Sequence, residues 1–398
     1  MLKTLKRVIY QVDDLEKAKQ WYCKILNDQP LFEAPFAAVY MVGDCSLSLS
    51  KSKGSLPEFN ERVEVYWEVD DIDFTYTKLI EEGAKPKTEI QPVLNIRIAK
   101  VIDPFGNIIG LSGKAPDTEK RTIESHPSES AMTTAFCRAL AYKDEREEIK
   151  GPDNLAEIFL NDEAIKILND STSRKWAIES LVSIPLYGYF IARTAFIDSI
   201  FINACNENIP QIVFIGAGYD TRPYRFREIV KETKLFELDA PSTQQRKIEV
   251  LKNSNIQIPG SLSFVPINFK TERLEDVLIN AGYNKEKQSL FIWEGVMYYL
   301  TEEAADKILS SVNNIAPLNS TICFDYLTEK LDSINPAEPF LFWIGSDKIE
   351  SFLSQRGFKI TRHLNSKEME KKYLTLKDGS LGIKSLNRFC FVYASVSD

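Results

Sequence analysis

A short sequence pattern occurs twice in the first third of the chain and restricts its fold more than any other feature. The letters VDDL at residues 12–15 return as VDDI at residues 69–72. Each copy closes an apolar, strand-like run and opens a segment with apolar residues at helical spacing, which an aspartate can cap. Alternating apolar runs with glycine and proline turns follow each helix. The duplication predicts two βαβββ units over residues 1–113.

Length, charge and hydropathy favour a globular protein of two or three domains. The chain has 398 residues, 44% of them apolar, and a net charge of −8 without a lysine- or arginine-rich stripe. This charge pattern argues against nucleic-acid binding. The longest apolar region, residues 181–204, contains Arg193 and Asp198, which argues against a membrane span. The first residues lack an apolar signal core, so the expected location is the cytoplasm.

Cysteine and histidine usage excludes several kinds of site. The six cysteines form no CxxC pair and lie mostly in apolar segments, which is typical of buried thiols in a reducing compartment. The two histidines, His126 and His363, lie far apart in the sequence. They do not supply a histidine-based catalytic triad or a multi-histidine zinc site.

The second part of the chain follows a different pattern. Residues 114–130 are polar, charged and interrupted by prolines, which indicates a linker. Helical spacing dominates residues 131–210, and five apolar runs then alternate with helical segments, which predicts a doubly wound parallel sheet within residues 131–398. Two last strand-like runs are separated by about twenty residues without a predicted crossover helix, so we expect an antiparallel hairpin at the sheet edge. Seven such strands are typical of the Rossmann-like class I methyltransferase fold.

The sharpest local motif is a buried strand that runs into a glycine turn, IVFIGAGYDTRP at residues 212–223. Gly216 and Gly218 allow a ligand to approach the backbone at the carboxyl end of a parallel strand, where open α/β sheets bind nucleotides. A GxG pair alone fits NAD, S-adenosylmethionine or a plain tight turn. The third glycine of the dinucleotide fingerprint is missing, which argues against a pyrophosphate site and a dinucleotide-dependent oxidoreductase.

Two acids end the next predicted strand. Glu237 and Asp239 lie where a carboxylate can bind both hydroxyls of a ribose. Asp239 is the preferred contact because it is nearest the strand end, and Glu237 is the second candidate. The alternative is that an acid here only caps the helix after Pro241.

Together with the DPFGN turn at residues 103–107, the repeat of residues 1–113 resembles the vicinal oxygen chelate family of glyoxalases, dioxygenases and bleomycin-resistance proteins. The resemblance implies an α+β domain with metal ligands on a concave sheet. Val8 and Gly110 occupy two of the ligand positions, and neither side chain can bind a metal. Glu64 lies near a third position, and a single carboxylate does not hold a catalytic divalent cation. We therefore expect a metal-free domain with a binding, dimerising or regulatory role.

Four ordered motifs of residues 128–398 resemble the leucine carboxyl methyltransferase family, including its bacterial polyketide-type O-methyltransferases. They are YGYFIARTAFID, GAGYDTRPYR, FELDAP and FIWEGVMYYL. The resemblance implies that S-adenosylmethionine binds at the carboxyl edge of the sheet. The implied cofactor contacts are Arg193, Gly216, Gly218, Asp220, Glu237, Asp239, Asn268, Phe269 and Glu294.

Within this set, Arg193 is expected to pair with the carboxylate of the cofactor, since a guanidinium binds a carboxylate through two parallel N–H groups. The alternative is a surface arginine on an amphipathic helix. Glu294 is expected to accept from the cofactor's ammonium group, and Asn268, where the family usually has aspartate, to approach the adenine. Tyr299 is expected to line the methyl-transfer channel, and Glu294 and Tyr299 are the candidate catalytic residues.

The sequence thus predicts an S-adenosylmethionine-dependent methyltransferase that acts on a carboxylate or acidic hydroxyl of a small molecule, because no histidine is expected near the strand ends to act as a base. The aromatic segment of residues 340–343 either walls the acceptor pocket or belongs to the core. Homodimer formation through the first domain and the absence of nucleic-acid and membrane partners are further expectations. The alternative is a metabolite-binding or sensing protein whose methyltransferase-like domain is catalytically inactive.

Overall fold

The chain forms two compact units, residues 1–120 and 121–398. The computed structural model describes the chain except residues 1, 13, 27, 35–36, 43–44, 52–62, 94–95, 103–107, 115–126, 270, 332–337 and 398. The predicted turn at residues 103–107, His126 and most of the predicted linker therefore lie outside the described residues.

The first unit is an eight-stranded sheet with two helices. Its strands are β1 (Leu2–Val12), β2 (Phe32–Ala34), β3 (Ala37–Val42), β4 (Cys45–Lys51), β5 (Val63–Val69), β6 (Lys85–Val93), β7 (Ile96–Ile102) and β8 (Ile108–Lys114), and its helices are α1 (Leu15–Leu26) and α2 (Ile72–Glu81). The strand order is β2-β3-β4-β1-β5-β8-β7-β6, with β1 and β5 antiparallel at the centre. Each half is one strand, one helix and three strands, as the repeat predicts.

The aspartates of the repeated pattern cap the two helices. The Asp71 carboxylate accepts from the Phe74 backbone N–H at 2.9 Å, and the Asp14 carboxylate accepts from that of Lys17 at 3.1 Å. Each helix then packs a buried apolar residue, Leu15 or Ile72, against the strands of its own half. Capping and periodicity together place the helices where the sequence predicts them.

The second unit contains a seven-stranded sheet in the order β11-β10-β9-β12-β13-β15-β14. The strands are β9 (Gln211–Ile215), β10 (Lys234–Asp239), β11 (Leu262–Pro266), β12 (Ser289–Trp293), β13 (Thr321–Leu327), β14 (Phe358–Leu364) and β15 (Phe389–Val396). Strands β9 to β13 pair in parallel, and β15 runs antiparallel to β13 and β14. This is the strand order of the class I methyltransferase fold, so the predicted fold class is confirmed.

Helices cover both faces of this sheet, and short 3₁₀ or π turns lie at residues 156–159, 177–182 and 297–299. The helices are α3 (Glu129–Tyr142), α4 (Asp162–Asn169), α5 (Ser171–Trp176), α6 (Ile184–Asn206), α7 (Arg222–Arg225), α8 (Arg227–Val230), α9 (Pro241–Asn253), α10 (Leu274–Asn280), α11 (Glu302–Ile315), α12 (Ile349–Ser354) and α13 (Ser366–Tyr373).

The connection between β14 and β15 corrects one prediction, since α13 lies where the sequence analysis places only a loop. The segment is highly polar and buries Met369 as its main apolar contact, so hydrophobic periodicity gives little signal for a helix. A capping box starts it: Asn365 accepts from the Glu368 backbone N–H, and the Glu368 side chain accepts from that of Asn365.

The long apolar region of the sequence is α6, which lies mostly buried in the core of the second unit. Among the described helices, none by itself has the length and hydropathy needed to cross a membrane. The pair formed by residues 171–179 and 184–206 reaches that threshold only when it is joined across a bend of 98°. Arg193 and Asp198 lie on α6, and both are buried.

Candidate functional site

The glycine turn follows β9 at the carboxyl edge of the parallel strands. Gly216 and Gly218 have φ angles of +71° and +47°, a backbone conformation that favours glycine. A Cβ atom on Gly216 would lie 2.5 Å from Cγ2 of Val296, so the turn also packs closely against the loop after β12. The backbone conformation and the close packing therefore both explain why the sequence has glycine in this turn.

Asp239, at the end of β10, fastens the glycine turn. One carboxylate oxygen accepts from the Gly218 backbone N–H at 2.5 Å, and the other accepts from that of Ala240 at 2.7 Å. Burial raises the pKa of Asp239, while these two N–H donors act in the opposite direction. Each carboxylate oxygen has a further lone pair, so the predicted ribose contact is compatible with this position and stays a prediction.

Glu237 lies deeper in the structure than Asp239. Its carboxylate is 2.7 Å from the Lys247 ammonium, both side chains are 1% exposed, and the Tyr224 hydroxyl donates to it at 3.4 Å. Burial raises the pKa of Glu237 to about 7 although Lys247 lowers it. The structure therefore places Glu237 behind the strand end, which makes Asp239 the better-placed candidate for the ribose.

Arg193 and Glu294 form a buried ion pair beneath the loop that follows β12. The Arg193 Nε atom lies 2.9 Å from Glu294 Oε1, and Nη1 lies 3.3 Å from Asp325 Oδ2. Nη1 also donates to the hydroxyls of Tyr189 and Tyr298, each at 3.4 Å. The alternative of a surface arginine is therefore wrong, because Arg193 is 2% exposed.

The strand-end carboxylate of Glu294 is ionised. Burial raises its pKa, but the cations of Arg222, Arg193 and Arg138 outweigh that effect and hold the pKa at about 2. The adjoining loop is fixed as well, since the Gly295 backbone N–H donates to Asp325 Oδ1 at 2.6 Å. This carboxylate therefore keeps a negative charge at the carboxyl edge of the sheet, where an ammonium group can be bound.

A set of buried ion pairs that the sequence analysis did not identify extends from Glu294. The Arg222 Nη1 atom lies 2.6 Å from Glu294 Oε2 and 2.5 Å from Asp220 Oδ2, and Arg222 Nε lies 2.7 Å from Asp198 Oδ1. Asp220 therefore contacts Arg222, and its predicted cofactor contact stays a prediction. The available signal was the presence of charged residues inside apolar segments, such as Asp198 in α6.

The same set continues to the glycine turn. Arg225 Nη1 lies 2.9 Å from Asp198 Oδ2, and Arg225 Nε lies 3.4 Å from Asp153. Asp153 also pairs with Arg138 at 2.8 Å, and Arg138 Nη2 donates to the Tyr219 carbonyl at 2.7 Å. We refer to the nine residues Arg138, Asp153, Arg193, Asp198, Asp220, Arg222, Arg225, Glu294 and Asp325 as the buried ion network. It connects the loops after β9 and β12.

Asn268 and Phe269 follow β11 at the same edge of the sheet. The Asn268 backbone N–H donates to Glu272 at 2.7 Å, and its carbonyl accepts from the backbone N–H groups of Thr271 and Glu272. Phe269 packs on the apolar cluster of this face of the sheet. These bonds hold a turn beside the strand end, and the predicted adenine contact of both residues stays a prediction.

Tyr299 lies in an aromatic group above the buried ion network. Its ring centroid is 4.9 Å from that of Tyr298 and 5.1 Å from that of Phe340. Burial raises the pKa of Tyr299 to about 12, while a hydrogen bond with Ser130 lowers it. Of the neighbouring aromatic residues, Phe342 is buried in the core, whereas Trp343 is 41% exposed. Tyr299 and Phe340 therefore remain the candidates for an acceptor wall.

In the first unit, the two ligand positions that can be examined carry no donor. Val8 pairs with Val65 in the sheet, and Gly110 pairs with Tyr66. The side chain of Glu64 lies outside the described residues. Within the described part of the chain, no group of three or more histidine, cysteine, aspartate or glutamate residues is arranged to hold a metal ion.

The strand order and the glycine turn define the second unit as a class I methyltransferase fold. Residues 131–313 match the leucine carboxyl methyltransferase family, and residues 4–111 match the glyoxalase/bleomycin resistance protein/dioxygenase superfamily. The two matched segments confirm the resemblance that the sequence analysis states for each part of the chain. The family match also confirms the predicted methyltransferase class, whose cofactor is S-adenosylmethionine.

Individual proteins are similar to parts of this chain. YktD of Bacillus subtilis, named as a candidate S-adenosyl-L-methionine-dependent methyltransferase, is 29% identical over 56% of this chain and 77% of its own length. A similarly named protein of Mycolicibacterium paratuberculosis is 28% identical over 55% of this chain and 42% of its own length. The solved structure of magnesium protoporphyrin IX methyltransferase from Synechocystis with bound SAH covers 60% of this chain and all of its own, at 14% identity and a TM-score of 0.34.

Proposed function

We propose that residues 131–398 transfer a methyl group from S-adenosylmethionine to a carboxylate or acidic hydroxyl of a small molecule. The observation that carries the proposal is the buried Arg193–Glu294 pair beside the glycine turn at the carboxyl edge of the sheet. Class I folds bind their ligands at this edge. The pair offers one group for the carboxylate and one for the ammonium of an amino acid moiety.

The residues present fit such a cofactor. The contacts of Arg193 within the described structure use Nε and Nη1, so Nη2 is the donor left for a ligand carboxylate. Glu294 has two carboxylate oxygens with about four lone-pair sites, of which the two arginines engage two. In this proposal, Asp239 binds the ribose, and Asn268 and Phe269 contact the adenine.

Alignment is the main contribution that the chain has to make. Bound S-adenosylmethionine supplies an electrophilic methyl group and a sulfonium leaving group. Holding two reactants in line contributes about 7–11 kcal/mol to lowering a barrier, and an ionised carboxylate acceptor then needs no base. Tyr299 keeps its proton at neutral pH because its pKa is raised to about 12, so it serves as a hydrogen-bond donor to the acceptor.

Calorimetry with three ligands tests the proposal. We expect S-adenosylmethionine and S-adenosylhomocysteine to bind, NAD to give no heat, and Glu294→Gln to weaken both adenosyl ligands. The exposed Glu302→Gln is the matched control, because Glu302 lies at the start of α11 and outside the buried ion network. If S-adenosylmethionine gives no heat with the unaltered protein, the proposal is wrong.

Acceptor choice separates the enzyme from the inactive sensing protein. We expect methyl transfer to small carboxylates or phenols, at a rate that does not change with pH above the pKa of the acceptor. Binding of S-adenosylmethionine without turnover on any such acceptor would favour the sensing protein. We further propose that the first domain, residues 1–113, is metal-free and mediates homodimer formation, which ultracentrifugation of the full chain tests.

A further inference from the structure

We propose that Arg222 is a positioning residue, which holds the Glu294 carboxylate in the orientation that binds the ammonium group of the cofactor. This inference rests on the proposed function, and it assigns to Arg222 a task that neither the glycine motif nor the family match assigns. Arg222 itself lies two residues after Asp220, the acid of that motif, and makes no direct contact with the ligand in this scheme.

The evidence begins with the two sides of Glu294. Arg193 Nε lies 2.9 Å from Oε1, and Arg222 Nη1 lies 2.6 Å from Oε2. A carboxylate at a strand end can rotate about its side-chain bonds, and freezing such rotation costs free energy. Two arginines on opposite oxygens fix both the rotation and the charge before a ligand arrives. The lone pairs that the arginines do not use then have a defined direction.

Arg222 is suited to this task because it is itself fixed. Asp198, on α6, holds its Nε at 2.7 Å, and Asp220, in the turn before α7, holds its Nη1 at 2.5 Å. The Arg222 backbone N–H also donates to Asp220 at 2.8 Å. A guanidinium can contact three acids at once in a planar fork, which a lysine ammonium on a flexible chain does not reproduce.

The network supplies a matched comparison in Arg225. Its side chain is 4% exposed, against 3% for Arg222, and it pairs with Asp198 and Asp153. Its ion pairs do not include Glu294. Replacing Arg225 therefore removes an equally buried cation from the same network without removing a contact to the proposed ammonium site.

The experiment measures the affinity of Arg222→Gln and Arg225→Gln for two ligands by calorimetry on the full chain. The ligands are S-adenosylhomocysteine and its deaminated analogue, which lacks the ammonium group. We expect Arg222→Gln to weaken S-adenosylhomocysteine at least 10-fold and the analogue less than 2-fold. Arg225→Gln is expected to change both affinities by the same small factor, because it disturbs the network without releasing Glu294.

Several outcomes overturn the proposal. If Arg222→Gln weakens both ligands by the same factor, the role of Arg222 is merely structural. The same conclusion follows if Arg225→Gln weakens S-adenosylhomocysteine more than the analogue, as Arg222→Gln does. An unchanged affinity for S-adenosylhomocysteine also overturns it. If Arg222→Gln does not fold, Arg222→Lys replaces it, and we expect Arg222→Lys to weaken S-adenosylhomocysteine by a larger factor than the deaminated analogue. Failure of the unaltered protein to bind S-adenosylhomocysteine instead overturns the proposed function.

Discussion

The two sheets of this protein are stabilised by different kinds of interior. The first unit packs its helices on apolar residues, and its ion pairs are partly exposed, as in Arg97–Asp73, where the aspartate side chain is 59% exposed. The second unit also has apolar cores, but it buries the ion network at one edge of its sheet. Buried charges are costly unless paired, so their presence at the carboxyl edge points to chemistry, whereas an apolar interior needs no ligand to explain it.

The strongest test of this comparison replaces a buried cation. Arg193→Met leaves Glu294 and Asp325 without one of their partners, and we expect a loss of about 3–5 kcal/mol in the free energy of unfolding. Urea unfolding measures the loss. The control is Arg227→Met, since Arg227 pairs with Glu228 while half exposed, and we expect less than about 1 kcal/mol. Equal losses in the two variants would contradict the distinction between the two interiors.

A second test concerns the buried pair of Glu237 and Lys247. Lys247→Met removes the cation that lowers the pKa of Glu237, so the buried Glu237 either takes up a proton or stays unpaired. We expect a loss of about 3 kcal/mol in the free energy of unfolding. The double variant Glu237→Gln/Lys247→Met removes both charges, and we expect it to recover at least half of that loss. Denaturant unfolding of the four proteins gives the coupling energy. Additive losses would mean that the two charges do not interact.

Glu237 also makes a pH prediction with a defined sign. Its pKa is raised from 4.5 to about 7 in the folded protein. Between these values the folded state holds a proton that the unfolded state has lost, so the contribution of Glu237 to stability falls as pH rises from about 4.5 to 7. We expect the free energy of unfolding of Glu237→Gln to vary less over this window than that of the unaltered protein. A steeper dependence in the variant would contradict the prediction.

The glycine turn offers a smaller effect. Gly216→Ala combines a positive φ with a Cβ placed 2.5 Å from Val296, and we expect a cost of about 2–3 kcal/mol in the free energy of unfolding. Gly218→Ala has a nearest Cβ contact of 3.3 Å, with Ala131, and we expect about 1–2 kcal/mol from φ alone. Adding Val296→Ala to Gly216→Ala is expected to recover the part of this cost that comes from the contact with Val296. If no stability is recovered, the cost comes from the backbone conformation instead.

The smallest expected effect concerns metal binding by the first unit. We expect neither the unaltered protein nor Val8→His to bind Mn²⁺ or Zn²⁺ stoichiometrically in a calorimetric titration, because Gly110 has no side chain to contribute. A Cβ atom at Gly110 would lie 2.7 Å from the Tyr66 ring, so Gly110→Glu serves as a destabilised comparison. A one-to-one metal complex of Val8→His would break the contrast between the two sheets.

Local patterns in the sequence were sufficient for most of the fold. The repeated VDD letters gave both capped helices of the first unit, and alternation of apolar runs gave the parallel strands of the second. Helix α13 was missed because its stability comes from a capping box and a single buried methionine. The buried ion network was missed because its members, from Arg138 to Asp325, become neighbours only through tertiary folding.

The contact between Arg138 and the Tyr219 carbonyl shows that the second unit depends on residues that precede its sheet in the chain. Arg138 lies on α3, well ahead of the first strand of the sheet in the chain. Trimming the protein to residues 144–398 keeps all seven strands but removes the guanidinium that anchors the loop after β9. Any excised methyltransferase fragment therefore has to start before Ser128, which caps α3, if its ligand affinity is to represent that of the whole chain.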